Sequence, residues 1–447
     1  MNLTGKKIVI IGMGRTGIAT ARFLGKQGAK VIVTDEQAVD QWSSEFEKIA
    51  KEKWLEIGSY NTRILTGACI VVPSPGVPPG NDLLVEALKK NIPVISEIEI
   101  AYRFLKVPVI AVTGTNGKTT TTTLLGEILQ YSGKKTFVGG NIGNPLIEYV
   151  EGSQKDDFIV AEISSFQLQW IEKFRPFIAL LLNVTRDHIN YHGSFAEYRR
   201  IKTRVFANQT KADFAILNAA DPEQEEMDRI INAQVIKFSS KRALQKGIFI
   251  KKNNIVLRIP GANEEQYPLS IINLPGLHNA ENVMAAIMAA RLCGCSQENI
   301  IAAVAAFRGL PHRIEFVGEK NSIKFYDDSK GTNVGSVARA LETFAQPVIL
   351  LMGGRDKDGD FETLKPLLAA KAKKVIMFGE ACDRIAKLID KDIPELRKTN
   401  LREAIESAYK NAQPGDIILL SPGCASFDEF ANYKERGNFF KDVVGNL

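Results

Sequence analysis

Residues 107–123 read VPVIAVTGTNGKTTTTT, and the architecture of the 447-residue chain follows from this stretch. Val109 to Val112 form a short apolar run of the kind buried in a parallel sheet. Beyond the turn, Leu124, Leu125, Ile128 and Leu129 recur at helical spacing until Gly133. A glycine-broken turn therefore joins a strand to a helix. Gly114 and Gly117 let successive backbone N–H groups converge, the helix N-terminus adds partial positive charge and Lys118 adds a full one. Such a turn cradles phosphate, and Thr119 is left to hold a metal ion. Val112 stands where the pattern G-x-x-x-x-G-K-[ST] has its first glycine, but strand, Gly-Lys-Thr and helix come in the order that phosphate binding requires. The plainer alternative is an ordinary glycine turn.

With 45% hydrophobic residues, the chain has apolar material for two or three cores, so a multidomain protein is expected. No run reaches the ~18 apolar residues of a membrane span, and the chain enters a strand at Lys7 without a signal-peptide pattern. A cytoplasmic protein without a membrane partner is expected. Five cysteines are scattered, and Cys293-Gly294-Cys295 lacks the spacing of a zinc site, so free thiols are expected. The net charge of +6 is unclustered and suits small anions better than nucleic acid.

Residues 6–35, KKIVIIGMGRTGIATARFLGKQGAKVIVTD, run strand, Gly12, Gly14 and Gly17, amphipathic helix, Gly28 and second strand, ending at Asp35. This dinucleotide-binding fingerprint alone suggests a nicotinamide enzyme. Its physics is only a diphosphate on a helix N-terminus, so a UDP-linked substrate satisfies it equally, and a separate ATP cradle downstream favours UDP. Another apolar strand ends at the tight turn Ser74-Pro75-Gly76.

A helical stretch over 97–105 leads to a hinge at Val107-Pro108. After the cradle helix comes the polar turn GGNIGNP (139–145), then a buried strand that delivers Glu162 to the C-terminal edge of the sheet, where open α/β sheets bind ligands. Glu162 is either solvated or a Mg²⁺ ligand. A further strand opens onto NVTRDHINYHG (183–193). His188 and His192 are four apart with no Glu between them, so a hard-cation site fits better than a zinc helix. In FAEYRRIKTRVF (195–206), Lys202 falls on the apolar helix face of Phe195, Tyr198, Val205 and Phe206, either snorkelling or held there for function. Residues 235–273 suggest a small accessory sheet. Asn279 and Asn282 open an alanine-rich helix expected to end near Phe307, as caps or as amides facing a ligand. Strands then end at YDDSKGTN, ILLMGGRDKDGDF, VIMFG and IILLSPGCASFDEF, a parallel arrangement that places Arg313, Asp328, Ser329, Lys330, Thr332, Lys357 and Ser426 on one sheet edge.

The form TGTNGKTTT resembles the ATP-dependent Mur ligases and folylpolyglutamate synthases, which form amide bonds through acyl phosphates. NVTRDH is similar to the NVTxDH stretch of Mur ligases, with Asn190 where an aspartate is common. DSKxTN, a GGxxK-like turn and SPxxASFDxF match, in order and spacing, the branch that adds D-glutamate to UDP-N-acetylmuramoyl-L-alanine in peptidoglycan precursor synthesis. The resemblance runs from Gly12 to the C-terminus.

It implies an α/β protein of three domains. These are a Rossmann-like UDP-substrate domain (1–96), a central ATP-binding domain (97–309) with a P-loop ATPase-type parallel sheet and a small accessory sheet, and a Rossmann-like domain for the amino acid (310–447). For ATP it implies Gly114, Thr115, Asn116, Gly117, Lys118, Thr119, Thr120, Asn279, Asn282, Arg313 and Asp328. For the UDP substrate it implies Gly14, Arg15, Thr16, Asp35, Ser74, Pro75, Gly76 and Asn141, and for D-glutamate Lys330, Thr332, Lys357, Ser426, Phe427 and Tyr433. Lys118, Glu162, His188, Lys202 and Arg313 would be catalytic. Two Mg²⁺ ions would be held by Thr119, Glu162, His188 and a carbamylated Lys202 in a monomer. Competing readings are a nicotinamide dehydrogenase, a nucleotide-binding regulator without turnover, a folylpolyglutamate synthase-like ligase, and a Mur ligase adding L-alanine or diaminopimelate. The diaminopimelate branch typically carries DNPR, which is absent here.

Overall fold

Apolar strands alternating with helices build three sheets, seen in a computed structural model that describes residues 1–37, 42, 44–259, 263–356, 359–387 and 393–447. The first sheet contains β1 (Lys7–Ile11), β2 (Lys30–Thr34), β3 (Leu55–Ile57) and β4 (Ile70–Pro73). They are parallel, in the order β3-β2-β1-β4. The helix Arg15–Lys26 follows β1 directly, and the close approach requires glycine: a Cβ at Gly17 would lie 2.0 Å from the Gly12 carbonyl oxygen.

The second sheet has nine strands: β5 (Val109–Thr113), β6 (Thr136–Gly140), β7 (Phe158–Glu162), β8 (Ile178–Leu181), β9 (Phe214–Asn218), β10 (Gln234–Ser239), β11 (Gly247–Lys251), β12 (Asn254–Arg258) and β13 (Glu265–Pro268). The order β13-β12-β11-β10-β9-β8-β5-β7-β6 places β5 inside the sheet, with parallel neighbours β7 and β8. Strands buried on both faces read as continuous apolar runs, and β5 is buried throughout. The run over 235–273, expected as a separate small sheet, instead extends the central one. β10 pairs in parallel with β9, and β11 to β13 form an antiparallel meander joined to β10 at only two residue pairs. The alanine-rich helix is also two helices, Leu277–Leu292 and Gln297–Ala306, because Gly294 with φ +80° turns the chain out of the first.

The third sheet orders β14 (Glu315–Lys320), β15 (Ile323–Asp327), β19 (Ile417–Gly423), β16 (Val348–Gly353), β17 (Ala372–Phe378) and β18 (Glu395–Arg397), and only β14 is antiparallel. The four strands expected from sequence are its inner ones. The edge strands β14 and β18 are half-exposed, lack a solid apolar run and were not anticipated.

The chain forms two compact units, 1–269 with 281–304, and 270–280 with 305–447. The first holds the first two sheets. Within it the helix Arg15–Lys26 lies on the helix Leu146–Val150, with Arg15 near Glu148 (3.6 Å) and Arg22 and Lys26 on Glu151 (3.5 and 3.3 Å). This seam brings the first glycine turn to the loop after β6, where Arg15 Nη2 donates to Asn144 Oδ1 at 2.5 Å. Among the described residues, no helix is long and apolar enough to cross a membrane.

Candidate active site

β5 ends in the turn Gly114–Gly117, where both glycines have positive φ (+149° and +86°) that a side chain would strain. Asn183, just beyond β8, braces the turn. Its carbonyl accepts from Thr115 N (2.8 Å), its Oδ1 from Asn116 N (2.9 Å), and its Nδ2 donates to Asn116 O (3.0 Å). Thr115 Oγ1 donates to Thr185 O and lies 3.1 Å from Tyr198 Oη. Neither contact is visible in the motif itself. Lys118 Nζ donates to Gly114 O (2.9 Å) and Thr115 O (2.8 Å), folded over the turn it follows. Asn282 comes to the same turn, since a Cβ at Gly117 would lie 2.2 Å from its Oδ1. Asn279 Nδ2 donates to Pro275 O at 2.7 Å.

Lys202 lies 1% exposed on the buried face of the helix Phe195–Thr203. Its Nζ sits 4.7 Å above the Tyr198 ring and donates to Gly114 O at 2.8 Å, so two lysines converge on one carbonyl. Burial first, and Lys118 second, hold its ammonium well below the usual lysine range, opposed by Asp187 and Glu162. The snorkelling alternative is excluded, because the amine does not reach water.

Glu162 closes β7 and is 2% exposed. Its Oε1 accepts from Asn141 Nδ2 at 2.8 Å, while Oε2 is buried without a partner. A buried, unpartnered carboxylate oxygen costs free energy unless a cation meets it, and its hard oxygen fits Mg²⁺. Asn141 thus orients Glu162, and the UDP-side cavity is lined without it. His188 has φ +52°, stands 3.6 Å from Asp187 and packs edge-on against Phe166. His192 turns inward instead. Its Nε2 is 3.0 Å from Ser165 Oγ, and burial pushes the imidazole down to about 4, so it is neutral at pH 7. Ser165 was missed from sequence; the only signal was the Ser164-Ser165 pair just beyond β7. Ser164 forms a capping box with Gln167.

A cavity of about 540 Å³ opens at the C-terminal edge of the first sheet. It brings together Gly14, Arg15, Thr16, Asp35, Ser74, Pro75 and Gly76, and is also lined by Glu36, Tyr60 and Asn81. Asp35 braces the glycine turn: its Oδ2 accepts from Met13 N (2.6 Å) and its Oδ1 from Gln37 N (3.0 Å). A larger cavity, about 700 Å³, lies at the N-terminal end of β5 against Lys106, Arg175 and Asp213, and none of the predicted residues line it.

In the second unit, Asp328 follows β15 and accepts from Ser421 Oγ at 2.7 Å. Burial pushes its carboxyl up to about 7, against the pull of Ser421 and Arg313. Lys330 Nζ donates to Tyr433 Oη (3.1 Å) and lies 4.8 Å from its ring centroid. Thr332 N donates to Lys330 O (2.9 Å), Ser426 is buried and Phe427 is exposed. Lys357 lies outside the described residues. Arg436, missed from sequence, is wholly buried and donates to Ser329 O (2.8 Å), Cys424 O (3.1 Å) and Ala425 O (3.2 Å), tying the turns after β15 and β19 together. His312 Nδ1 lies 2.7 Å from Asp327 Oδ2 beside them.

Family models match the chain along its length: the MurD-like N-terminal domain of Mur ligases at 6–96, the Mur ligase middle domain at 112–290, and the Mur ligase glutamate ligase domain at 312–424. A UDP-N-acetylmuramoylalanine--D-glutamate ligase of Syntrophus aciditrophicus is 53% identical over 99% of this chain and 98% of its own. Another, from Geotalea uraniireducens, is 44% identical over 100% and 99%. Among solved structures, a pseudomurein peptide ligase type C from Methanothermus fervidus aligns with TM-score 0.62 at 20% identity, covering 99% of this chain and 100% of that one. A UDP-N-acetylmuramate-alanine ligase from Thermotoga maritima aligns with TM-score 0.60 at 18% identity, covering 98% and 99%, and both likenesses are of fold alone. With family models matching along its length and full-length relatives at this identity, the chain, whose glycine turn after β5 meets the buried Lys202 and whose Glu162 closes β7, belongs to the Mur ligase family.

Proposed function

We propose that this protein joins D-glutamate to UDP-N-acetylmuramoyl-L-alanine at the expense of ATP, in the making of peptidoglycan precursors. The observation that carries the reading is the meeting of Lys118 and Lys202 on the Gly114 carbonyl, within electrostatic range of Glu162. No dehydrogenase needs that constellation. The alanyl carboxylate attacks the γ-phosphorus of ATP, releasing ADP and forming an acyl phosphate. The amine of D-glutamate then attacks the acyl carbon, phosphate leaves, and the nitrogen loses its proton. Lys118 and the N-terminus of the helix Lys118–Tyr131 hold the phosphates where negative charge develops. Asn282, Asn279, Arg313 and Asp328 serve the rest of the nucleotide. Lys330, Thr332, Lys357, Ser426, Phe427 and Tyr433 take the D-glutamate, whose two carboxylates suit a cluster of cations and hydroxyls.

Thr119, Glu162, His188 and a carbamylated Lys202 would hold two Mg²⁺ ions. When bound, such ions neutralise charge on the transferred phosphoryl group and orient it. Lys202 suits the modification: burial, with Lys118 beside it, lowers its pKa and so favours the neutral amine, the form that adds CO₂ with loss of a proton. We also assign three functional domains, 1–96 for the UDP substrate, 97–309 for ATP and 310–447 for the amino acid, acting as a cytoplasmic monomer. Phosphate release with the UDP substrate, ATP and a panel of amino acids tests the reading. D-Glutamate should give the fastest release, and faster release with L-alanine or diaminopimelate would refute the branch assigned.

A further inference from the structure

The cavity of about 700 Å³ lies at the edge of the central sheet opposite the phosphate cradle, and nothing in the proposed reaction uses it. Three strands begin at its wall. Val109 opens β5, Phe177 precedes β8 and Asp213 precedes β9, while the cradle follows the far end of β5, roughly 16 Å away for a strand of five residues. Most of the remaining wall comes from the segment 102–108 that leads into β5, and from the loop that carries Lys173 and Arg175. These two segments are fastened together: the buried Glu99 accepts with Oε2 from the backbone N–H groups of Glu172, Lys173 and Phe174 at 2.9, 2.9 and 2.8 Å. Arg103, Lys106, Lys173 and Arg175 give the wall its cations. The arginines are engaged by carboxylates. Arg103 holds Glu99 (2.7 Å) and Glu172 (2.6 Å), and Arg175 holds Asp213 (2.7 Å). The lysines are not: both are exposed, and among the described residues neither Lys106 nor Lys173 has a hydrogen-bond or ion-pair partner for its ammonium. Leu105, Val107, Pro108 and Phe177 line the same cavity with carbon.

We propose that this cavity is a second anion site, apart from the ATP cradle, which binds a phosphorylated small molecule with an apolar body of up to nucleotide size. Two lysines brought from separate segments suit the dianion of a phosphate monoester, which meets both at once, and an ammonium serves phosphate as a point charge. The apolar side takes the body of the ligand, and the volume lies in the range of small-molecule sites. Inorganic phosphate leaves that side unfilled, and an uncharged ring leaves the lysines unanswered. None of the residues assigned to ATP, the UDP substrate or D-glutamate line the cavity, so its ligand binds together with the substrates and not in place of them.

The probe is phenyl phosphate, titrated calorimetrically into the full chain with Mg²⁺, a non-hydrolysable ATP analogue and UDP all in excess, beside inorganic phosphate and phenol as its two parts. Phenyl phosphate should bind one-to-one and about tenfold or more tightly than either part. The double variant Lys106→Ala, Lys173→Ala should bind it about tenfold or more weakly, with phosphate release from the substrates unchanged. In the unaltered protein, phenyl phosphate should also shield Lys106 and Lys173 from acetic anhydride, read by mass spectrometry after digestion, while other exposed lysines react as before. Absence of binding under these conditions, full affinity in the double variant, or shielding of neither lysine would overturn the proposal. Equal and weak binding of phosphate and phenyl phosphate would overturn it too, as screening of surface charge only. If the double variant does not fold, the shielding experiment decides.

Discussion

Two lysines 84 positions apart donate to the Gly114 carbonyl, yet they sit in unlike surroundings. Lys118 is half-buried at a helix start, where we assign it to the phosphates of ATP. Replacing it with alanine removes a preorganised charge, and phosphate release should slow on the order of 10²-fold or more in a folded protein. Lys202 is sealed from water, and a bare ammonium there would repel a metal ion. Carbamylation reverses the charge and supplies two hard oxygens. Lys202→Ala should be nearly inactive and partly rescued by short carboxylic acids. Protein equilibrated with ¹³C-bicarbonate should show a carbamate resonance that Lys202→Ala lacks. Full activity of the variant, or no such resonance in the parent, would defeat the assignment.

At the scale of the element, the turn between β5 and the helix Lys118–Tyr131 depends on Gly117 for two separate reasons. Its φ of +86° strains any L side chain by about 1–2 kcal/mol, and a Cβ would strike Asn282 Oδ1. Gly117→Ala should therefore lower stability by at least that strain and displace Asn282. ATP affinity should fall more than the midpoint of urea unfolding accounts for. A variant with normal ATP affinity would show that the turn tolerates the change, and that Asn282 is not held there for the nucleotide. The neighbouring loops depend on partners rather than backbone strain: Asn183 braces the turn, and Asn141 steadies Glu162.

For the whole molecule, the buried titratable groups set how stability varies with pH. Burial first of all pushes Glu97 from 4.5 up to about 7, against a hydrogen bond from Ile147 N. Between those values the folded state holds a proton that the unfolded chain has released, so this contribution is full below 4.5 and lost as pH rises towards 7. Asp328 acts in the same sense from 3.8 to about 7. His192 and His278, lowered by burial from 6.5 to about 4, act in the opposite sense, losing stability as pH falls through that window. The groups partly cancel, so comparing Glu97→Gln with the parent isolates one of them. Relative to the parent, the variant should gain up to about 3 kcal/mol between pH 4.5 and 7, as a shift of 2.5 units implies, measured by urea unfolding. A constant difference across that range would show that Glu97 titrates normally in the fold.

Much of this architecture was legible in the residues, because strand and helix periodicity, glycine turns and phosphate cradles are local. The Gly114–Lys118 turn, the Gly12–Gly17 turn and the four inner strands of the third sheet all follow from patterns a few residues long, and Lys202 stood out because a charge broke an apolar face. The positions of partners are not local. That Lys202 reaches Gly114 across 88 positions, that Asp35 turns to Met13 while Glu36 faces Tyr60 and Asn81, and that His192 points at Ser165 all depend on how elements pack. The meander of β11 to β13 shows the same division. A small sheet over 235–273 was readable, but the attachment of the meander to β10 rests on two residue pairs between strands, which no period within either strand encodes.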